Sequence, residues 1–271
     1  MTTKDVPAEA AADVPADLPA DVARLWRLPA GHQGMTGRRG RPAELTVDRV
    51  VGAAVALAED LGLAGVTLPK VAEALHVTPM SLYRYIGSKD ELFVLMEDLG
   101  WGPAPRLRIT RGRWRSGLER WALAQQRVLR EHPWLAHVPI GGPPRGPHLI
   151  GWMDVGLRAL RDTGLDWASR LGALTVVSGY VRHSELMAQQ LAAGRKAAGV
   201  DHQEQVEHAY GRDLARLVDA DRCPDAAALF RSGLFEPSGG EPAADAGGEE
   251  FAFGLSVVLD GIAATIARTT A

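Results

Sequence analysis

The segment from Thr46 to Met96 restarts a helix four times within about fifty residues, and few folds can use helices that short. Val47, Val50, Val51, Ala54, Val55, Ala58 and Leu61 recur at helical spacing behind Thr46 as N-cap, and Gly62 stands where a left-handed C-cap belongs. Thr67 caps a second, shorter helix, with Pro69 in its first turn and Val71, Ala72 and Leu75 turned inward. After His76 and Val77, Thr78 and Pro79 open a third helix as N-cap and first helical residue, reaching about Ile86. Ser88, Lys89, Asp90 and Glu91 then form a capping box for a fourth, carried on by Leu92, Leu95 and Met96.

Two short helices joined by a tight turn, the second opening on a cap and a proline, make a helix-turn-helix whose second member lies in the major groove of a duplex. On that helix Leu82 and Ile86 are four apart and face the core with Val71 and Leu75. Pro79, Met80, Ser81, Arg84 and Tyr85 therefore project outward as base readers. Arg84 can pair bidentately with guanine O6 and N7, and Pro79 and Met80 offer apolar contact to a thymine methyl. Thr67, Thr78, Tyr83 and Lys89 are the donors suited to phosphates, which position the reader without specifying sequence. Arg38, Arg39 and Arg41 form a basic run directly ahead of the first helix, placed to reach DNA as an arm.

The run Gly65-Val66-Thr67-Leu68, then Val77-Thr78-Pro79-Met80-Ser81-Leu82-Tyr83-Arg84-Tyr85-Ile86 and Ser88-Lys89-Asp90-Glu91-Leu92, resembles the tetracycline-repressor (TetR) family. His132-Pro133-Trp134-Leu135 and the stretch from Glu250 to Ile262 resemble that family's C-terminal domain less closely. The resemblance implies an all-α homodimer with an N-terminal helix-turn-helix domain and a larger helical domain that dimerises and encloses a small-molecule site. It also implies a regulator, a repressor in most members, that leaves a pseudo-palindromic operator when an effector binds. Two positions depart from the pattern. His76 occupies a turn usually held by glycine, where a positive φ strains other residues, and Pro69 replaces a residue that often contacts DNA.

Beyond Gly100, Gly102, Pro103 and Pro105 the readable chain is again helical, with no period-2 strand. Helices are expected from Trp114 to Pro133, from Leu149 to Gly164, from Asp166 to about Ala193, around Val206 to Leu217, and from Phe251 to Ile266. Ser238 to Gly248 reads as a linker. Trp121, Gln125, His137, Trp152, Met153, Tyr180 and His183 are the effector-pocket candidates, being polar-tipped or aromatic groups on otherwise apolar helices. Residues 1–37, rich in Ala, Pro and Asp, are expected to be a disordered arm, ahead of a DNA-binding domain over 38–100 and an effector-binding and dimerisation domain over 105–271.

A chain of 271 residues with net charge −3 meets nucleic acid only through a local basic patch. Its single cysteine, Cys223, excludes an intramolecular disulfide and a multi-cysteine zinc site, and His202, Glu204 and His208 lack a metal-ligand spacing. No run of about 20 consecutive apolar residues is present and no signal-peptide order opens the chain, so the expectation is a cytoplasmic protein with no membrane contact, metal or cofactor. An enzyme is least favoured, since no nucleophile elbow, P-loop, GxGxxG or HExxH motif is found. A protein–protein adaptor that has lost DNA binding, or an activator, remains the alternative.

Overall fold

A computed structural model describes residues 18–28, 45–199, 203–236 and 246–270, and all regular structure among them is helical. The chain divides into two compact units, residues 1–178 with 266–271, and residues 179–265. The first contains the reading head together with the next helices.

The head is built from α2 (Val47–Leu61), α3 (Leu68–Ala74), α4 (Pro79–Leu82) and α5 (Lys89–Trp101), preceded by α1 (Ala20–Leu25). Val50, Val51 and Ala54 of α2, Val71 and Ala72 of α3, Leu82 and Ile86, and Leu92, Leu95 and Met96 of α5 are sealed from solvent. Residues of this kind recur every three to four positions, so each short helix buries one stripe against the others. Leu61, expected inside, is 54% exposed because α2 ends there. Gly62 has the expected positive φ of 70° but an extended ψ of 171°, so the cap is not left-handed helical.

Thr46, Thr67 and Ser88 cap their helices through backbone amides of Arg49, Lys70 and Glu91. The box at Ser88 is altered, for the Glu91 carboxylate accepts from the Gly87 amide and from Arg24 rather than from Ser88. That Arg24 contact corrects the expectation of disorder through residue 37. Ala20–Leu25 is helical, Leu25 is buried, and the Arg24 guanidinium grips Glu91 at 2.5 and 2.8 Å. Asp21 pairs with Arg145 at 3.2 Å, and the Trp26 indole donates to the Arg145 carbonyl. Composition alone misses this turn and a half of helix because its partners lie far along the chain.

After α5 come α6 (Trp114–Glu131), a 3-10 turn at Pro133–His137 and α7 (Pro147–Ala159). Trp134 lies against Gly100 of α5 so closely that a Cβ there would meet the ring at 2.8 Å, so this glycine, expected to end the helix, instead lies within it and admits the indole. The same indole and His132 Nδ1 both reach Glu59 of α2 at 2.7 Å. Asp98 of α5 accepts the Leu149 amide near the N-terminus of α7 and pairs with His148 at 3.3 Å.

α8 (Trp167–Ala198) is longer than expected and crosses from the first unit into the second, which continues through α9 (Gln203–Leu217), α10 (Pro224–Arg231) and α11 (Ala246–Thr270). α10 was not anticipated, although Pro224 at its first position is a start signal. Tyr210, Phe230 and Phe235 pack ring against ring and pin α9 to α10. α11 begins inside the expected linker, whose residues 238–245 lie outside the described set.

α11 is apolar on average rather than in one unbroken run. By length and composition alone Gly248–Thr269 could cross a membrane, as many core helices could, its most apolar 18 residues having mean hydropathy 1.6 and being 22% buried. Ser256, Asp260 and the glycines interrupt any consecutive apolar run there.

Candidate nucleic-acid interface

The turn between α3 and α4 is set by hydrogen bonds. The Val77 amide donates to the Ala72 carbonyl at 2.9 Å and the His76 amide to Glu73 at 3.0 Å, the two bonds of a Schellman motif. His76 takes the left-handed position with φ 56°, as the sequence predicts for a glycine-like site. It is exposed, so its ring meets no resistance while its backbone carries the strain.

Regular helix in α4 ends at Leu82, earlier than expected, and the chain continues as tight turns in which the amides of Tyr85 and Ile86 both donate to the Leu82 carbonyl. Ile86 is thereby returned to the core beside Leu82. The opposite face carries Pro79, Met80 at 75% exposure, Tyr83 at 47% and Arg84, all exposed. Arg84 has no side-chain partner among the described residues, so its guanidinium is presented entirely to an outside ligand. Tyr85 is half-buried rather than fully outward, since the tightened turn rotates it toward the core.

Thr78 does not cap α4 with its side chain. Its hydroxyl instead pairs with that of half-buried Ser81 at 2.9 Å, and a pair of hydroxyls sharing one hydrogen bond still offers one free O–H donor. Thr67 accepts from Lys70 and keeps its own proton to give. Lys89 lies with Nζ 5.2 Å from the Phe93 ring, one turn along α5, exposed at the start of that helix. Lys70, which the sequence reading passed over, is exposed on the first turn of α3 beside Pro69. Two cations, several hydroxyls and the amino termini of α3 and α5 thus surround the outward face of α4, an arrangement fit for a polyanion. Arg38, Arg39 and Arg41 lie outside the described residues.

The effector-pocket candidates fall in both units. In the first unit, Trp121 and Trp152 are buried and spend their indole N–H groups on the carbonyls of Trp152 and Gly102, at 2.9 and 3.1 Å. Gln125 is 4% exposed and its Nε2 has no acceptor. Met153 is half-buried and His137 exposed. In the second unit the Tyr180 hydroxyl donates to Phe251 at 2.9 Å, and His183 is exposed. Both indoles and the tyrosine hydroxyl are therefore committed to the scaffold, and Gln125 alone holds a buried, unspent donor. None of the seven lines the open groove between residues 104–108 and α7.

Comparison with known proteins agrees with this geometry. Residues 50–96 match the family model for bacterial regulatory proteins of the tetR family, and residues 108–236 match the tetracyclin repressor-like C-terminal domain. The chain is 33% identical over 240 residues to the HTH-type transcriptional repressor DrrR1 of Streptomyces coeruleorubidus, covering 86% of this chain and 84% of that one. It is 31% identical over 163 residues to an HTH-type transcriptional regulator of Saccharopolyspora erythraea, covering 58% and 69%. Among solved structures, ActR of Streptomyces coelicolor in complex with actinorhodin superposes with TM-score 0.66 at 24% identity, over 83% of this chain and 98% of that one. BioQ with its double-stranded DNA operator superposes with TM-score 0.50 at 25% identity, over 56% and 91%. With the short capped helices, the Schellman turn and the outward face of α4 all in place, the chain belongs to the TetR family of helix-turn-helix transcriptional regulators.

Proposed function

We propose that the protein is a cytoplasmic repressor that grips a pseudo-palindromic operator as a homodimer and lets go when a small molecule binds its helical C-terminal region. The observation that carries this reading is the division of α4 and the turn after it: Leu82 and Ile86 are wholly buried while Met80 and Arg84 stand free in solvent. Arg84, with Pro79, Met80, Ser81 and Tyr85, reads bases. Thr67, Thr78, Tyr83 and Lys89, joined by Lys70, hold phosphates, and Arg38, Arg39 and Arg41 reach the duplex from the arm. In a dimer the two reading faces meet half-sites about 34 to 36 Å apart.

The unsatisfied apolar surface of α11 supports self-association, with Phe253 74% and Val257 55% exposed one turn apart on the same side. The buried donor of Gln125 supports an interior ligand, and a structural neighbour holds actinorhodin. An effector works only through unequal affinity for the DNA-gripping and released states.

The test compares binding to a selected operator and to random duplex across a salt series. Arg84→Ala should cost about 1 to 3 kcal/mol on the operator alone and relax preference at one base pair. Lys89→Ala should weaken both duplexes alike and lower the salt slope by about one. Equal losses on both duplexes for both variants would remove the assignment of reader and anchor.

A further inference from the structure

Five arginines, Arg106, Arg108, Arg111, Arg113 and Arg115, fall within ten residues that hold no acid, in a chain whose net charge is −3. Arg111 is paired with Asp162 at 3.5 Å, but the side chains of Arg106 and Arg108 have no partner among the described residues. Both lie in the irregular run joining α5 to α6, where exposure alternates: Arg106 and Arg108 outward, Leu107 and Ile109 half-buried. The Leu107 amide donates back to the Pro105 carbonyl at 2.8 Å, so the run turns at Arg106, and both arginines line one groove.

This run forms one wall of a groove of about 450 Å³, and α7 forms the other, with Gly151, Asp154, Val155 and Arg158. Leu107 and Val155 supply apolar surface between the charges. Arg158 Nε lies 3.2 Å from Asp154 Oδ2, yet it is buried and makes no hydrogen bond. Three guanidinium groups against one carboxylate leave a surplus of two positive charges over a partly apolar groove.

We propose that this groove is a binding site for a small organic monoanion, a carboxylate carried on a flat apolar body. Its carboxylate meets the guanidinium groups lining the groove, those of Arg106, Arg108 and Arg158, and its ring lies along Leu107 and Val155. The volume lies within the range of small-ligand sites. Operator phosphate is not the occupant, because the groove adjoins the C-terminal end of α5, and thirteen helical residues set it about 20 Å from Ser88, where that helix meets the DNA-reading face. The site involves neither Gln125 nor the indoles, so it stands apart from an effector in the helix interior. It can still report to the reading head, since Trp152 of α7 donates to Gly102 and packs edge-on against Trp101 at the end of α5.

The test is calorimetric titration of the full-length protein with 1-naphthoate and with its neutral counterpart 1-naphthamide. Naphthoate is expected to bind with Kd below about 1 mM and at least about tenfold more tightly than the amide. The double variant Arg106→Gln, Arg108→Gln changes only exposed side chains, and it should lose at least about tenfold in naphthoate affinity while keeping the parent's affinity for duplex DNA. Arg158→Gln should show the same loss. Absence of naphthoate binding up to about 10 mM, equal affinity for the two probes, or undiminished binding by the arginine variants each overturns the proposal. If binding survives those variants but falls in Gln125→Leu, the anion sits in the helix interior, so the groove is refuted while the effector reading stands.

Discussion

α4 and α11 solve opposite problems. α4 is four residues long, and with the turn that follows it buries two side chains completely and turns an uncommitted arginine to solvent. α11 is 25 residues long, apolar over most of its length, and has only about a fifth of its apolar stretch buried. A helix as short as α4 has no stability of its own, so it exists because the core of the head fixes it from behind. The unfinished burial of α11 is completed by another surface, which the proposed dimer supplies. One helix is finished by its own chain and left open to DNA. The other is left open to a second copy.

The largest expected effect tests the first half of that contrast. Leu82→Ala opens a void behind α4 and should cost about 2 to 5 kcal/mol in urea unfolding, with specific DNA binding lost as well. A cost no greater than that of a surface substitution would show that the reading helix does not depend on its core. Next, Phe253→Ser with Val257→Ser should leave unfolding of the single chain nearly unchanged while raising the dimer dissociation constant by at least about tenfold. Sedimentation equilibrium measures this, and an unweakened dimer would break the contrast by placing the interface elsewhere.

Smaller effects sharpen it. Replacing His76 by glycine relieves the left-handed backbone at a modest entropic cost in the unfolded chain, for a net gain of about 0.5 kcal/mol. Thermal unfolding should register it as a rise in Tm, and a fall would mean that the His76 ring contributes more than its exposure implies.

The smallest effect concerns Asp98, between α5 and α7. Burial lifts its carboxyl above the ordinary aspartate value, although the Leu149 amide and His148 pull it down. The folded protein therefore binds this proton more tightly than the unfolded chain. Its contribution favours folding most at pH values below the unfolded pKa and is lost as pH rises through the folded one. Asp98→Asn keeps an oxygen for Leu149 and carries no charge. It should be stabilised relative to the parent by about 0.5 kcal/mol at pH 7, with the gain shrinking toward pH 4. A gain that grew on acidification would reverse the sign assigned to this group.

Legibility in the sequence followed the range of the interactions. The caps at Thr46, Thr67 and Ser88 and the left-handed turn at His76 depend on neighbours within four residues, and all were readable. The inward stripe of Val71, Leu82 and Ile86 was readable because burial follows the helical period. α1 was not, because six residues become a helix through Leu25 burial and through contacts from Arg24 to Glu91 and from Asp21 to Arg145. Nor was the coupling of hydroxyls at Thr78 and Ser81, which replaced the expected cap. The effector candidates were chosen for residue type, and type does not tell an indole already bonded to a carbonyl from one waiting for a ligand.

The sequence by itself determined the class of protein and which face of its short helices is turned to solvent, since helix starts, the turn and the order of apolar positions are local and periodic. Only the tertiary structure decided which polar groups remain unspent. Gln125 Nε2 and the guanidinium groups of Arg106 and Arg108 stand out because the three-dimensional packing satisfied their neighbours and left them without partners among the described residues. A hydrogen bond is a matter of distance and direction in space, and no spacing along the chain records it.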